Sequence, residues 1–135
     1  MTGERLFLRY VWPCARVRLD AKKISQQQYN ELEETVRNDS EPRKQLLAVC
    51  FPGAYKDITN WSYEFVVHYW RYIHRHDDEP VQKDVWQAIV IETPDSQFVS
   101  LQISDRHIIA INEYRIPLRA GDIVYGHKHM IVEKI

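Results

Sequence analysis

The chain has 135 residues, 44% hydrophobic and 27% charged, with a net charge of −1 at pH 7. That length suffices for one sizeable core, and Gly and Pro are too sparse for a linker or low-complexity chain. The balance of 12 basic against 12 acidic residues up to Pro80, and 6 against 7 beyond it, leaves no basic arm for nucleic acid.

Residues 1–19 carry Glu4, Arg5, Arg9, Arg16 and Arg18, which break any apolar stretch suited to a signal peptide or membrane span, so a cytoplasmic location without membrane contact is expected. Within them Leu6, Phe7, Leu8, Tyr10, Val11, Cys14, Val17 and Leu19 fit either a kinked helix or an edge strand. Leu6, Tyr10, Cys14 and Arg18 share one helical face, whereas a strand would lose an amide hydrogen bond at Pro13, which favours the helix. Arg9, Arg16 and Arg18, beside Tyr10 and Trp12, read as side chains that snorkel from a core element rather than stack on bases. Cys14 and Cys50 lie outside any Cys-x-x-Cys spacing and read as buried thiols.

Ser25 followed by Gln28 is a capping-box signature, and Tyr29, Leu32 and Val36 recur at helical spacing, which predicts a surface helix over residues 26–37. Asn38, Asp39 and Ser40 end it. Pro42 is expected in the first turn of a next helix whose apolar residues are Leu46, Leu47, Val49 and Cys50, stopped by Phe51-Pro52-Gly53. A cap at Thr59 or Asn60 then opens an aromatic segment, from Trp61 through Tyr63, Phe65, Tyr69, Trp70 and Tyr72 to His76. Its apolar residues cover nearly the whole helical circumference, which predicts an enclosed helix that organises the core. Asp77, Asp78, Glu79 and Pro80 close it with a loop.

From Val85 the pattern changes to short β-branched runs at residues 85–91, 98–103, 107–112, 123–126 and 130–133. Turn formers separate them, among them Thr93-Pro94-Asp95-Ser96, Ser104-Asp105 and Ala120-Gly121-Asp122. Helices followed by strands define an α+β protein. The expected architecture is a single domain in which three to four helices (residues 1–80) pack against a small antiparallel β-barrel or meander of about five strands (residues 81–135).

The chain lacks a phosphate loop, Gly-x-Gly-x-x-Gly, Gly-x-Ser-x-Gly, His-Glu-x-x-His and an EF-hand loop, which removes the common nucleotide-binding and hydrolase readings. The histidines form one constellation. His127 and His129, if extended, project from the same strand face, and a divalent transition metal would need a further ligand such as His74, His76 or Asp78. Against this stands a plain reading in which His127-Lys128-His129 is a solvated turn and His74 and His76 close a helix. His68 reads as a hydrogen-bonded core histidine, and His107 is uninformative. In the strand half, Arg106, Tyr114, Arg115, Arg119, Tyr125 and Lys128 are candidates for binding a protein or nucleic-acid partner. The leading expectation is a non-catalytic accessory or adaptor module without a cofactor. The alternative is a metal-dependent enzyme or metal-binding protein using the C-terminal histidines. The aromatic helix also offers a face for a homodimer.

Overall fold

The computed structural model describes residues 1–73, 85–93 and 97–135. The chain divides into two compact units, Met1–Lys83 and Asp84–Ile135. The boundary expected after residue 80, the end of the aromatic helix and the acidic loop beyond it lie outside the described residues, as do Pro94, Asp95 and Ser96.

The first unit is helical, and its earliest segment is the helix α1 (Gly3–Asp20), which resolves the helix-or-strand alternative. Thr2 caps it, its hydroxyl accepting the Arg5 amide at 3.2 Å. Pro13 lies inside it. A proline there costs about 3 kcal/mol, but each large apolar side chain taken out of water returns about 1.5–3 kcal/mol, and Leu6, Phe7, Leu8, Tyr10, Val11 and Trp12 are all buried. Eleven of the eighteen residues of α1 are buried, so this helix, rather than the aromatic segment, is the enclosed one. Gly3 is required where α1 passes Trp61, because a Cβ there would overlap the Trp61 carbonyl.

The capping box forms as expected at α2 (Gln26–Arg37): the Ser25 hydroxyl accepts the Gln28 amide at 3.0 Å, and the Ser25 amide donates to Gln28 Oε1 at 2.8 Å. Only Leu32 of α2 is fully buried, as suits a surface helix. The third helix, α3 (Lys44–Cys50), starts after Arg43, so Pro42 precedes the cap instead of occupying the first turn, and Val49 points outward. Phe51-Pro52-Gly53 ends α3 but also begins α4 (Pro52–Asp57), because a proline at a first helical position gives up an amide that has no helical partner anyway. Among the described residues this makes five α-helices where three to four were expected.

The aromatic segment is not one regular helix. It is α5 (Tyr63–His68), capped by Ser62, followed by a π-helical stretch, Tyr69–Ile73. In this wider turn the consecutive residues Tyr69 and Trp70 are both buried, while Tyr72, Ile73 and His68 are exposed, so His68 is not a core histidine. Trp70 stacks on Tyr10 at 5.4 Å with an interplanar angle of 8°, and Phe7 meets Trp61 and Trp70 edge-on at 5.4 and 5.5 Å. Both cysteines are buried and unbridged, and burial pushes the Cys50 thiol up to about 11. Arg18 is buried too, whereas Arg16 stays outside over the Tyr29 ring.

The second unit is the strand half. Its strands are β1 (Val85–Glu92), β2 (Phe98–Ile103), β3 (Arg106–Ile111), β4 (Ile123–His127) and β5 (Met130–Lys134), close to the five expected runs. They pair in the order β1-β2-β3-β5-β4, and β4 returns to β1, closing a small barrel. Four of the five pairings are antiparallel. The exception is β3 with β5, which run parallel and meet at Ile111↔Met130, so the sheet is mixed rather than wholly antiparallel. Alternate residues Ala88, Val90, Val99, Leu101, Ala110, Val124 and Ile131 fill the interior, as the two-residue period of strands requires. Ser104-Asp105 and Lys128-His129 form the two tight hairpins, each with its first residue at positive φ. Among the described residues, no helix is long and apolar enough to cross a membrane.

Candidate functional site

The first part of the loop between β3 and β4 is organised by a buried side-chain amide. Asn112 follows the last residue of β3 and is 6% exposed. Its Oδ1 accepts the Ile116 amide at 3.0 Å and its Nδ2 donates to the Ile116 carbonyl at 2.9 Å, so one side chain satisfies both backbone groups of Ile116 as a neighbouring strand would. The Asn112 amide donates to the Gln97 carbonyl at 2.7 Å, and the Ile111 amide to the His129 carbonyl at 2.8 Å. These bonds bring the end of the β1–β2 connection, the β3–β4 loop and the β4–β5 hairpin to one mouth of the barrel.

Two clefts flank Asn112 at this mouth. One, of about 340 Å³, is walled by Val99, Ile116, Pro117 and Leu118, with Thr93, Asn112 and Arg115 supplying polar groups. The other, of about 450 Å³, is more polar and includes Gln97, Glu113 and again Arg115. Arg115 sits between them at φ +52°, a left-handed conformation that costs a non-glycine residue on the order of 1 kcal/mol. The Arg115 amide donates to the Asn112 carbonyl at 3.2 Å, which closes the turn and holds this residue in place.

The candidate partner-binding residues do not make one face. Tyr114 and Arg115 share the mouth loop, and Lys128 stands in the adjoining hairpin, where its carbonyl accepts the Trp86 indole N–H at 2.7 Å. Arg106 opens β3 at the opposite end of that strand. Arg119 lies in the turn before β4; its amide donates to Asp122 Oδ2 at 2.8 Å, and that bond, with Lys134 beside it, holds the Asp122 carboxyl below the usual range. Tyr125 is on β4, its hydroxyl donating to Gln87 Oε1 at 3.3 Å.

The histidine pair is also separated. His127 is fully buried as the last residue of β4, whereas His129 is exposed in the two-residue turn, because the chain reverses at Lys128 and the residues are not extended. His74, His76 and Asp78 lie outside the described residues. Among the described residues, no group of three or more His, Cys, Asp or Glu could hold a metal ion.

Sequence reasoning missed a set of outward-facing apolar residues on the barrel. Ile109 is 72% exposed, Ile89 51%, Phe98 42% and Ile123 37%. Ile89 is paired with Ile123 across β1 and β4, and Ile109 faces Ser100, the next outward residue after Phe98 on β2. The run His107-Ile108-Ile109-Ala110-Ile111 carried the signal, since a half-solvated strand would alternate polar with apolar residues and this one does not. Comparison with known protein families, with curated proteins and with solved structures gives no match.

Proposed function

We propose that the chain is a non-catalytic accessory module that binds a protein partner through the outer surface of its strand unit. The observation that carries this reading is Ile109, a branched apolar side chain left largely in water on β3, with Phe98, Ile89 and Ile123 exposed on the neighbouring strands. Exposed apolar groups that extend across several strands mark interaction surfaces. In one class of small five-stranded barrel the face of the second and third strands, with the adjoining loops, is a binding surface, there for oligonucleotides and oligosaccharides.

The backbone of β3 supports the same reading. The Ile111 amide points away from β2, toward His129, so by the strand period the amides and carbonyls of His107 and Ile109 point the same way. Among the described residues β3 is paired with β5 only at Ile111, which leaves this stretch as an edge able to accept an added strand. A protein partner is favoured over nucleic acid because the exposed groups are apolar, and because basic residues do not outnumber acidic ones in this half.

The test is affinity capture from extract with the intact chain and with Ile109→Asp, a substitution outside the barrel core. A protein retained by the first, lost by the second and insensitive to nuclease supports the reading. Identical capture by both chains, or loss of the captured material on nuclease treatment, sinks it.

A further inference from the structure

We infer that the apolar-walled cleft at the barrel mouth is a binding site for a small carboxylate with an aliphatic body, held at its charged end by Arg115. Three observations converge on this chemistry. The cleft, about 340 Å³, falls in the size range of small-molecule sites, and barrel mouths are a recurring place for them. Ile116, Pro117 and Leu118 in its wall offer apolar surface to a ligand body, whereas Val99, which also lines it, is almost wholly buried. Arg115 is exposed at its edge, and among the described residues no carboxylate pairs with it; Glu113 lines the second cleft on the other side and makes no ion pair with it.

An unpaired guanidinium beside an apolar wall is a complementary receptor for a carboxylate, whose two oxygens match its planar fork. The loop is also built to keep it there. Both Asn112 amide groups are committed to Ile116, and the Arg115 backbone is held at positive φ by its bond to the Asn112 carbonyl. These bonds fix the backbone that carries the Arg115 side chain, so the loop itself need not be ordered when a ligand arrives. The site uses none of the outer apolar residues, so it stands or falls independently of the partner surface on β1 to β4.

The experiment is a titration of the full-length, isotope-labelled chain followed by amide chemical shifts, with N-acetyl-leucine as the probe. The neutral N-acetyl-leucinamide and inorganic phosphate serve as comparison probes. Expected are saturable shifts at Val99, Asn112, Ile116 and Leu118 with the carboxylate, weakened about tenfold or more for the amide and for the Arg115→Gln variant, and unchanged in Arg119→Gln. Arg115→Gln keeps the loop amide and is checked for folding by its own spectrum. No saturable shift at these residues, or equal binding of the neutral amide, overturns the proposal. Phosphate binding as tightly as N-acetyl-leucine overturns it too, because the apolar wall would then contribute nothing.

Discussion

The indole of Trp86 lies across Gly126, its direct cross-strand partner in β4, and its Nε1–H reaches the Lys128 carbonyl at 2.7 Å. A Cβ at 126 would overlap the six-membered part of that ring. The glycine makes room for the ring, and the ring clamps the hairpin at the barrel mouth.

Gly126→Ala is therefore expected to destabilise the strand unit by about 1–3 kcal/mol, the usual cost of overpacking. Trp86→Phe removes the donor from the Lys128 carbonyl and costs about 1–3 kcal/mol. Combined with Trp86→Leu, Gly126→Ala should cost less than it does alone, because the smaller side chain leaves space for the added methyl. Urea unfolding of the parent chain, the three single variants and the double variant, followed by circular dichroism, gives all these values. Strict additivity would show that ring and glycine are not coupled.

Asn112→Ala leaves both backbone groups of Ile116 without their partner and is expected to cost about 1–3 kcal/mol. Asn112→Asp retains the acceptor for the Ile116 amide but loses the donor to its carbonyl. Hydrogen exchange at Ile116 should accelerate strongly in the alanine variant and less in the aspartate variant. Equal protection in all three chains would mean that the loop is held by something else.

In the helical unit, Asp39 receives Arg5 at 2.6 Å and Arg9 at 3.2 Å, and it sits at φ +49°. The hydrogen bond from Arg5, followed in order by the opposing effect of burial and the attraction of Arg9, leaves its carboxyl below the usual carboxylate range. A carboxyl whose folded pKa is depressed contributes stability above its unfolded pKa of about 3.9. That contribution is lost as pH falls through the lower folded value. Asp39→Asn, which tolerates the same backbone conformation, should lower stability at neutral pH by about 0.5–1 kcal/mol, since the side chain is half exposed and solvent screens the pair. The difference between the two chains should shrink toward zero as the pH drops below 4. Asp122 titrates in the same acid window, so the comparison must be made between variants and not from one acid unfolding curve.

Neither cysteine should react in the folded chain. Cys14 and Cys50 are buried, and burial raises the Cys50 thiol to about 11, so little thiolate exists near pH 8. A thiol-disulfide reagent should label none of the two sites in native buffer and both in denaturant. Fast native labelling at Cys50 would contradict the packing described for α3.

Some of this fold was legible because its causes are local. The Ser25–Gln28 capping box joins residues three apart, and β2 ends where Ser104-Asp105 reverses the chain, so neighbouring residues alone supply the geometry. The candidate site was much less legible. Arg115 was singled out as a basic residue near Tyr114, but nothing in its neighbourhood in the chain says that it borders an apolar cleft. Asn112 read as the last residue of a strand, and its bonds to Ile116 became visible only with the loop in place. The pairing of His127 with His129 failed because it assumed an extended backbone across a turn.

The amino-acid sequence by itself determined the order of helices and strands, the capping of α2 and the places where the strands break, because each follows from contacts within a few residues. Only the tertiary structure decided that α1 is the enclosed helix, that β5 inserts between β3 and β4, that Trp86 covers Gly126, and that Ile109 faces water. Periodicity tells which residues share a side of an element. What that side meets depends on partners forty residues away, as with Trp86 and Lys128, whose meeting requires the strands between them to close.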